Sequence, residues 1–162
     1  MTADTAQKTR EANDFTVLQC WGKLDGKAWL LDQVRAKLEA PELEKTAMLF
    51  WERHRRRHCR GMYIEDKVSG TGLIQTLRRK SVPVFPVGRD RDKYTRLLDA
   101  LPYIASGLVM LPKAAPWLPA FLAECGEFSA EMNHGHDDQV DAMVDGVLKV
   151  FGRGISILDV VG

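Results

Sequence analysis

The clearest hydrophobic rhythm lies near the C-terminus, where Val140, Val144, Val147 and Phe151 recur at the helical period with Met143 and Leu148 beside them. This predicts a helix over 137–151. Upstream, 15–21 and 28–34 read as two strands joined by Leu24-Asp25-Gly26-Lys27, whose Asp-Gly pair is a hairpin signal. Pro41 opens a helix carried by Leu43, Ala47, Phe50 and Trp51, since proline suits a first helical position. Residues 60–64 form a short apolar strand ending at Glu65-Asp66, and Gly70-Thr71-Gly72 leads into a helix through Leu73, Ile74 and Leu77. Residues 82–87 make another strand, whose prolines place it at an edge or a strand end. The stretch 93–105 reads as a helix interrupted at Pro102, 108–111 as a short strand and 117–125 as a helix. A hairpin followed by alternating helices and strands predicts an α/β domain with a mixed sheet and helices on its faces. In such sheets the chemistry gathers at the carboxyl ends of strands, and Glu65-Asp66 occupies one such end.

A chain of 162 residues suits one domain with a core of its own. The net charge of +1 hides a local separation: Arg53-His54-Arg55-Arg56-Arg57-His58-Cys59-Arg60 and Arg78-Arg79-Lys80 are dense basic runs, while acids gather elsewhere. That arrangement suits a protein holding a polyanion near carboxylates. Cys20, Cys59 and Cys125 are widely spaced and odd in number, which argues for a reducing compartment over a disulfide framework. The N-terminus lacks the apolar core of a signal peptide, and no run approaches the ~18 apolar residues of a membrane span. These features predict a cytoplasmic location.

The start of the last helix reads His136-Asp137-Asp138-Gln139-Val140-Asp141. Asp138, Asp141 and Asp145 share a face on a helical wheel, and like charges at this spacing cost a few tenths of a kcal/mol per pair. The helix N-terminus offsets part of that, and a divalent cation would offset much more. With Asp4 and Glu65-Asp66 this makes three acidic loci of the kind hard cations such as Mg²⁺ take, and two such ions about 4 Å apart clamp the attacking and leaving oxygens of a phosphodiester. The bland reading of Glu65-Asp66 is a solvated strand end. His54 and His58 with Cys59 imitate a zinc site, but the surrounding arginines favour a solvated or phosphate-touching basic face. Trp29, Trp51 and Trp117 read as core, and Trp21 is open. No phosphate loop of the ATPase type is present.

In order, these loci resemble a family. The segment from Asp4 to Phe15 resembles the first active-site strand end and turn of the nuclease domain of tailed-phage terminase large subunits. Tyr63-Ile64-Glu65-Asp66-Lys67-Val68-Ser69-Gly70-Thr71-Gly72 is similar to its second acidic segment. Asp92-Lys93-Tyr94-Thr95-Arg96, the strand at 107–112 and His136-Asp137-Asp138-Gln139-Val140-Asp141-Ala142 resemble its remaining landmarks. The resemblance implies a ribonuclease H-like mixed sheet flanked by helices on both faces over residues 1–151, with 152–162 as a tail. It implies an endonuclease that cuts double-stranded viral DNA during packaging in the host cytoplasm, using two Mg²⁺ or Mn²⁺ ions. By position, Asp4, Glu65 and Asp138 would be principal metal ligands, Asp137 and Asp141 neighbouring ligands, and His136 and Asp66 supports. Asp138 and Asp141 also fit the Asp-x-x-Asp-Ala helix start of Holliday-junction resolvases. Arg78, Arg79, Lys80, Lys93 and Arg96 would hold the DNA backbone, and the terminase ATPase domain, small subunit and portal would be partners.

Two departures from the family accompany this. The packaging ATPase is missing, and only Met1-Thr2-Ala3 precede Asp4. So short a central strand predicts unpaired neighbouring edges and a poorly anchored Asp4, as in an excised domain or a truncated prophage product. Two rivals follow: a fragment that only docks to DNA, motor or portal, and an all-helical His-Asp phosphohydrolase using His54, His58 and His136-Asp137.

Overall fold

The computed structural model describes residues 1–5, 15–88, 91–128 and 137–152, with backbone alone at 68 and 69. Six strands, β1 (Thr2–Asp4), β2 (Thr16–Leu24), β3 (Lys27–Ala36), β4 (Met62–Glu65), β5 (Val84–Val87) and β6 (Val109–Met110), form one sheet in the order β5-β4-β1-β2-β3-β6. Five helices accompany them: α1 (Ala40–Arg55), α2 (Val68–Arg79), α3 (Lys93–Ala105), α4 (Leu118–Glu127) and α5 (Asp138–Phe151). The β2–β3 hairpin turns at Asp25 and Gly26, both left-handed at φ 51° and 71°, as the Asp-Gly signal requires. β5, with Pro86, is an edge strand paired only to β4.

The sheet buries a core on each face. On one, Leu18, Phe50, Trp51, Ile64, Leu73 and Leu77 bring α1 and α2 against it. On the other, Leu30, Phe121, Val140, Val144 and Val147 hold α5 with α3 and α4. The sheet itself removes the all-helical phosphohydrolase.

Four expectations need correction. β1 has three residues, and its pairing with β2 stops at Gln19, so Cys20–Leu24 have no β1 partner; what is corrected is the poor anchoring, since Thr2, Ala3 and Asp4 pair antiparallel with Gln19, Leu18 and Val17, while Thr2 and Ala3 pair parallel with Tyr63 and Ile64. Backbone bonds on both sides, with Met1, Thr2 and Ala3 buried, anchor it. α3 also runs through Pro102 without a break. The bond that proline removes is to the carbonyl of Leu98, and both residues face solvent, where water can serve that oxygen. His54 leaves the basic face entirely: it is buried, with Nε2 2.8 Å from Asp32 Oδ2, whereas His58 is exposed beyond the end of α1. The two histidines therefore share no face. Trp29, expected in the core, is half-exposed beside the hairpin turn, its Nε1 donating to Leu24 O at 3.4 Å. The tail at 153–162 lies outside the described residues, and among these no helix is long and apolar enough to cross a membrane.

Candidate active site

β1 and β4 are parallel neighbours, so their carboxyl ends share one edge, and the register that pairs Ala3 with Ile64 brings Asp4 beside Glu65. Strand alternation gives Thr2, Asp4, Tyr63 and Glu65 the face that α5 covers. Contacts along α5 confirm this for two of them: Thr2 Oγ1 donates to Ala142 O at 3.4 Å, and Lys149 Nζ lies 4.9 Å from the Tyr63 ring centroid. α5 thus runs antiparallel to β1. From Ala142 back to Asp138 is four residues, about 6 Å of helix; from Thr2 to Asp4 is two residues, about 6.6 Å of strand. The start of α5 is therefore level with the ends of β1 and β4.

Around this edge the acids have partners. Glu65 is buried, and Lys67 Nζ is 2.8 Å from its Oε2. Lys93 at the start of α3 pairs with Asp137 and, at 2.9 Å, with Asp141 Oδ2. Arg96 stands 3.7 Å from Asp141 Oδ1 and pairs with Asp145. The repulsion expected along α5 is met by these two cations. Burial works against the Lys93 charge, but the two aspartates outweigh it and hold its pKa above the ordinary value. Asp137, Asp141 and Asp145 form the row that faces α3, while Asp138 lies in line with Ala142 and Gly146, the residues nearest the sheet.

The other expected residues are spread more widely. Asp66 is exposed and accepts from Thr71 Oγ1 at 2.9 Å. His136 lies outside the described residues. Arg78, Arg79 and Lys80 sit at the far end of α2, about 18 Å of helix from Glu65. There Arg78 donates to Val84 O and Lys80 pairs with Glu44. Among the described residues, no three His, Cys, Asp or Glu side chains stand close enough to hold an ion as a group. The donors nonetheless suit a hard cation, since Mg²⁺ commonly takes one or two protein carboxylates and completes its shell with water and phosphate oxygens.

Residues 1–149 match the family model described as the terminase RNaseH-like domain. The chain belongs to this family. Its fold, a mixed six-stranded sheet flanked by helices, is ribonuclease H-like, as that family's description states. The large terminase of a thermophilic bacteriophage, solved with ADP, superposes with a TM-score of 0.74 at 14% identity, over 93% of this chain and 39% of that one. The nuclease domain of the human cytomegalovirus terminase gives 0.67 at 14% identity, over 97% and 84%. This chain thus spans 39% of the phage protein's length. Comparison with curated protein sequences gives no match.

One part of the site escaped sequence reasoning. Asp137, at the N-cap of α5, makes no side-chain cap bond. The cap comes from α4: Glu124 Oε1 accepts from the backbone N–H of Gln139 at 2.6 Å and of Val140 at 3.2 Å. Gln139 Nε2 donates to Glu124 Oε2 at 2.5 Å, Gln33 Nε2 to Gln139 Oε1 at 2.6 Å, and Gln19 Nε2 to Gln33 Oε1 at 2.7 Å. This buried chain ties the α5 start to β2 and β3. Its signal was present: Gln19 interrupts an apolar strand, and Gln139 sits within the buried stretch of α5. Glu124→Ala strips an acceptor from three donors and should lower stability by about 2–3 kcal/mol in urea unfolding. A loss under about 0.5 kcal/mol would show that water replaces the cap.

Proposed function

We propose that this domain is a divalent-metal-dependent endonuclease that cuts double-stranded DNA during viral genome packaging. The observation that carries the reading is the level placement of Asp4, Glu65 and Asp138 at one sheet edge, from two parallel strands and a helix start. Asp4, Glu65 and Asp138 would hold two Mg²⁺ or Mn²⁺ ions, with Asp137 and Asp141 beside them. When bound, the ions supply Lewis acidity for the attacking water and the leaving 3′ oxygen.

The chain's own residues do the rest. Glu124 and the glutamine chain fix the α5 start, so Asp138 is held by rigid elements. Lys67, Lys93 and Arg96 stand at the same edge and would exchange carboxylate for phosphate partners as DNA arrives. Arg78, Arg79 and Lys80 would contact DNA away from the cut. Backbone contacts of this kind carry no sequence information, so the choice of cutting site would fall to partners: the ATPase portion of a large terminase, a small subunit and a portal.

Incubating the protein with supercoiled plasmid and Mn²⁺ should yield nicked and linear DNA, and EDTA should stop it. Absence of cleavage by folded protein would sink this reading in favour of a docking module.

A further inference from the structure

Lys67 stands where helix electrostatics disfavour it. It is the N-cap of α2, and the first turn of α2 carries no acidic residue. A helix N-terminus bears partial positive charge, and capping positions favour Ser, Thr, Asp or Asn. The lysine therefore does nothing for its own helix. Its partner explains it: Nζ is 2.8 Å from Oε2 of Glu65. Between the two, Asp66 turns instead to Thr71 Oγ1 at 2.9 Å, as alternation along an extended stretch requires. The backbone of Lys67 is fixed, its carbonyl accepting from Thr71 N at 2.8 Å and Thr71 Oγ1 at 3.0 Å. Its side chain is more open than the other cations paired at this edge, 38% exposed against 24% for Lys93 and 12% for Arg96.

Glu65 is only 2% exposed, and a carboxylate so buried needs a positive partner. Such a pair gives little net stability over apolar packing. Fold stability is thus a poor reason to keep both residues, which leaves the chemistry of the carboxylate. Mg²⁺ sits about 2.1 Å from an oxygen ligand. With an ammonium still 2.8 Å from Oε2, an ion sharing that oxygen would be at most about 5 Å from it. A double and a single positive charge at that range repel by about three times thermal energy even at the dielectric constant of water. Lysine and metal therefore exclude one another at this oxygen.

We propose that Lys67 is a displaceable counter-ion: it neutralises Glu65 until a divalent cation takes the carboxylate, and its released ammonium then holds a phosphate of the DNA backbone. This rests on the divalent-metal reading above. The consequence is coupling. Metal on Glu65 frees Lys67 for phosphate, and phosphate on Lys67 clears Glu65 for metal, so each tightens the other to the same degree.

The test is electron paramagnetic resonance of free Mn²⁺ titrated against the full chain without DNA. Lys67→Met keeps an apolar stem and loses the charge. It should bind Mn²⁺ about five- to tenfold more tightly than wild type, the worth of a half-exposed pair on a buried carboxylate. Lys67→Arg, which keeps the charge, should bind no more tightly than wild type. Equal or weaker binding by Lys67→Met would overturn the proposal, weaker binding showing that the lysine shapes the carboxylate and does not yield it. A second measurement needs no variant. Acylation of Lys67 by an N-hydroxysuccinimide ester, read by peptide mass spectrometry, should run faster in Mn²⁺ than in EDTA, while Lys80, paired with Glu44, keeps one rate. Unchanged labelling of Lys67 would also overturn it. If no variant binds Mn²⁺, the metal reading falls and takes this inference with it; equal binding by wild type and Lys67→Met sinks this inference alone. Tighter binding by Lys67→Met in a protein that never cuts would sink only the nuclease reading.

Discussion

Asp138→Ala will lower Mn²⁺-dependent plasmid cleavage by at least about a hundredfold, the scale on which groups that stabilise transition-state charge act, while Asp137→Ala will cost about tenfold or less. The two residues are adjacent, yet the helix sends them to different neighbours. Asp137 belongs to the row that Lys93 and Arg96 meet from α3, and its removal leaves Asp141 with both cations. Asp138 stands one turn before Ala142, on the line that rests on β1. Neither change should unfold the protein, since a first-turn carboxylate contributes up to about 1 kcal/mol through the helix dipole. Thermal melts run beside the cleavage assay separate loss of chemistry from loss of fold. Equal losses in the two variants, or wild-type cutting by Asp138→Ala, would remove Asp138 from the proposed ligand set.

Gly70→Ala and Gly72→Ala should move stability in opposite directions. Both glycines lie in α2, where alanine ordinarily favours the helix by about 1 kcal/mol. At Gly72 a Cβ would meet nothing within 4 Å, so the full propensity gain is expected. At Gly70 it would stand 1.9 Å from the carbonyl oxygen of Glu65 and 3.2 Å from the carbonyl carbon. Backbone must move, and overpacking of this kind costs about 1–3 kcal/mol or more. The displaced residue is Glu65 itself, so Gly70→Ala should lose cleavage as well as stability. Urea unfolding and plasmid cutting of both variants check this; a Gly70→Ala protein as stable and active as wild type would mean that α2 slides off β4 freely.

That pair shows what the sequence made legible and what it hid. In the sequence Gly70-Thr71-Gly72 marked only the way into a helix, and that the Glu65 carbonyl presses on Gly70 and not on Gly72 appears only in the packed structure. The hairpin, the proline-marked edge strand and the apolar stripe of α5 were readable because each is a local pattern set by one element's period. The order of the acidic loci carried the family. Through-space partners were not readable: nothing in the linear chain joins Lys93 to Asp137, Glu124 to the amide of Gln139, or Asp32 to His54. The row of acids on α5 invited a metal beside the helix N-terminus as its counter-charge, and the structure supplies Lys93 and Arg96 of α3 for part of it. The shortness of β1 misled about the anchoring of Asp4 for a related reason, since a strand held by two neighbours needs little length of its own.

The bond from Thr2 to Ala142 spans 140 positions of the chain. Two corners of the proposed cutting edge, Asp4 and Glu65, leave the ribosome early, and the third leaves only after α3 and α4 have been made. Until α5 emerges, a nascent chain presents an apolar sheet face and an incomplete carboxylate edge. On the proposed reading, a fragment that stops before α5 lacks the third corner of that edge.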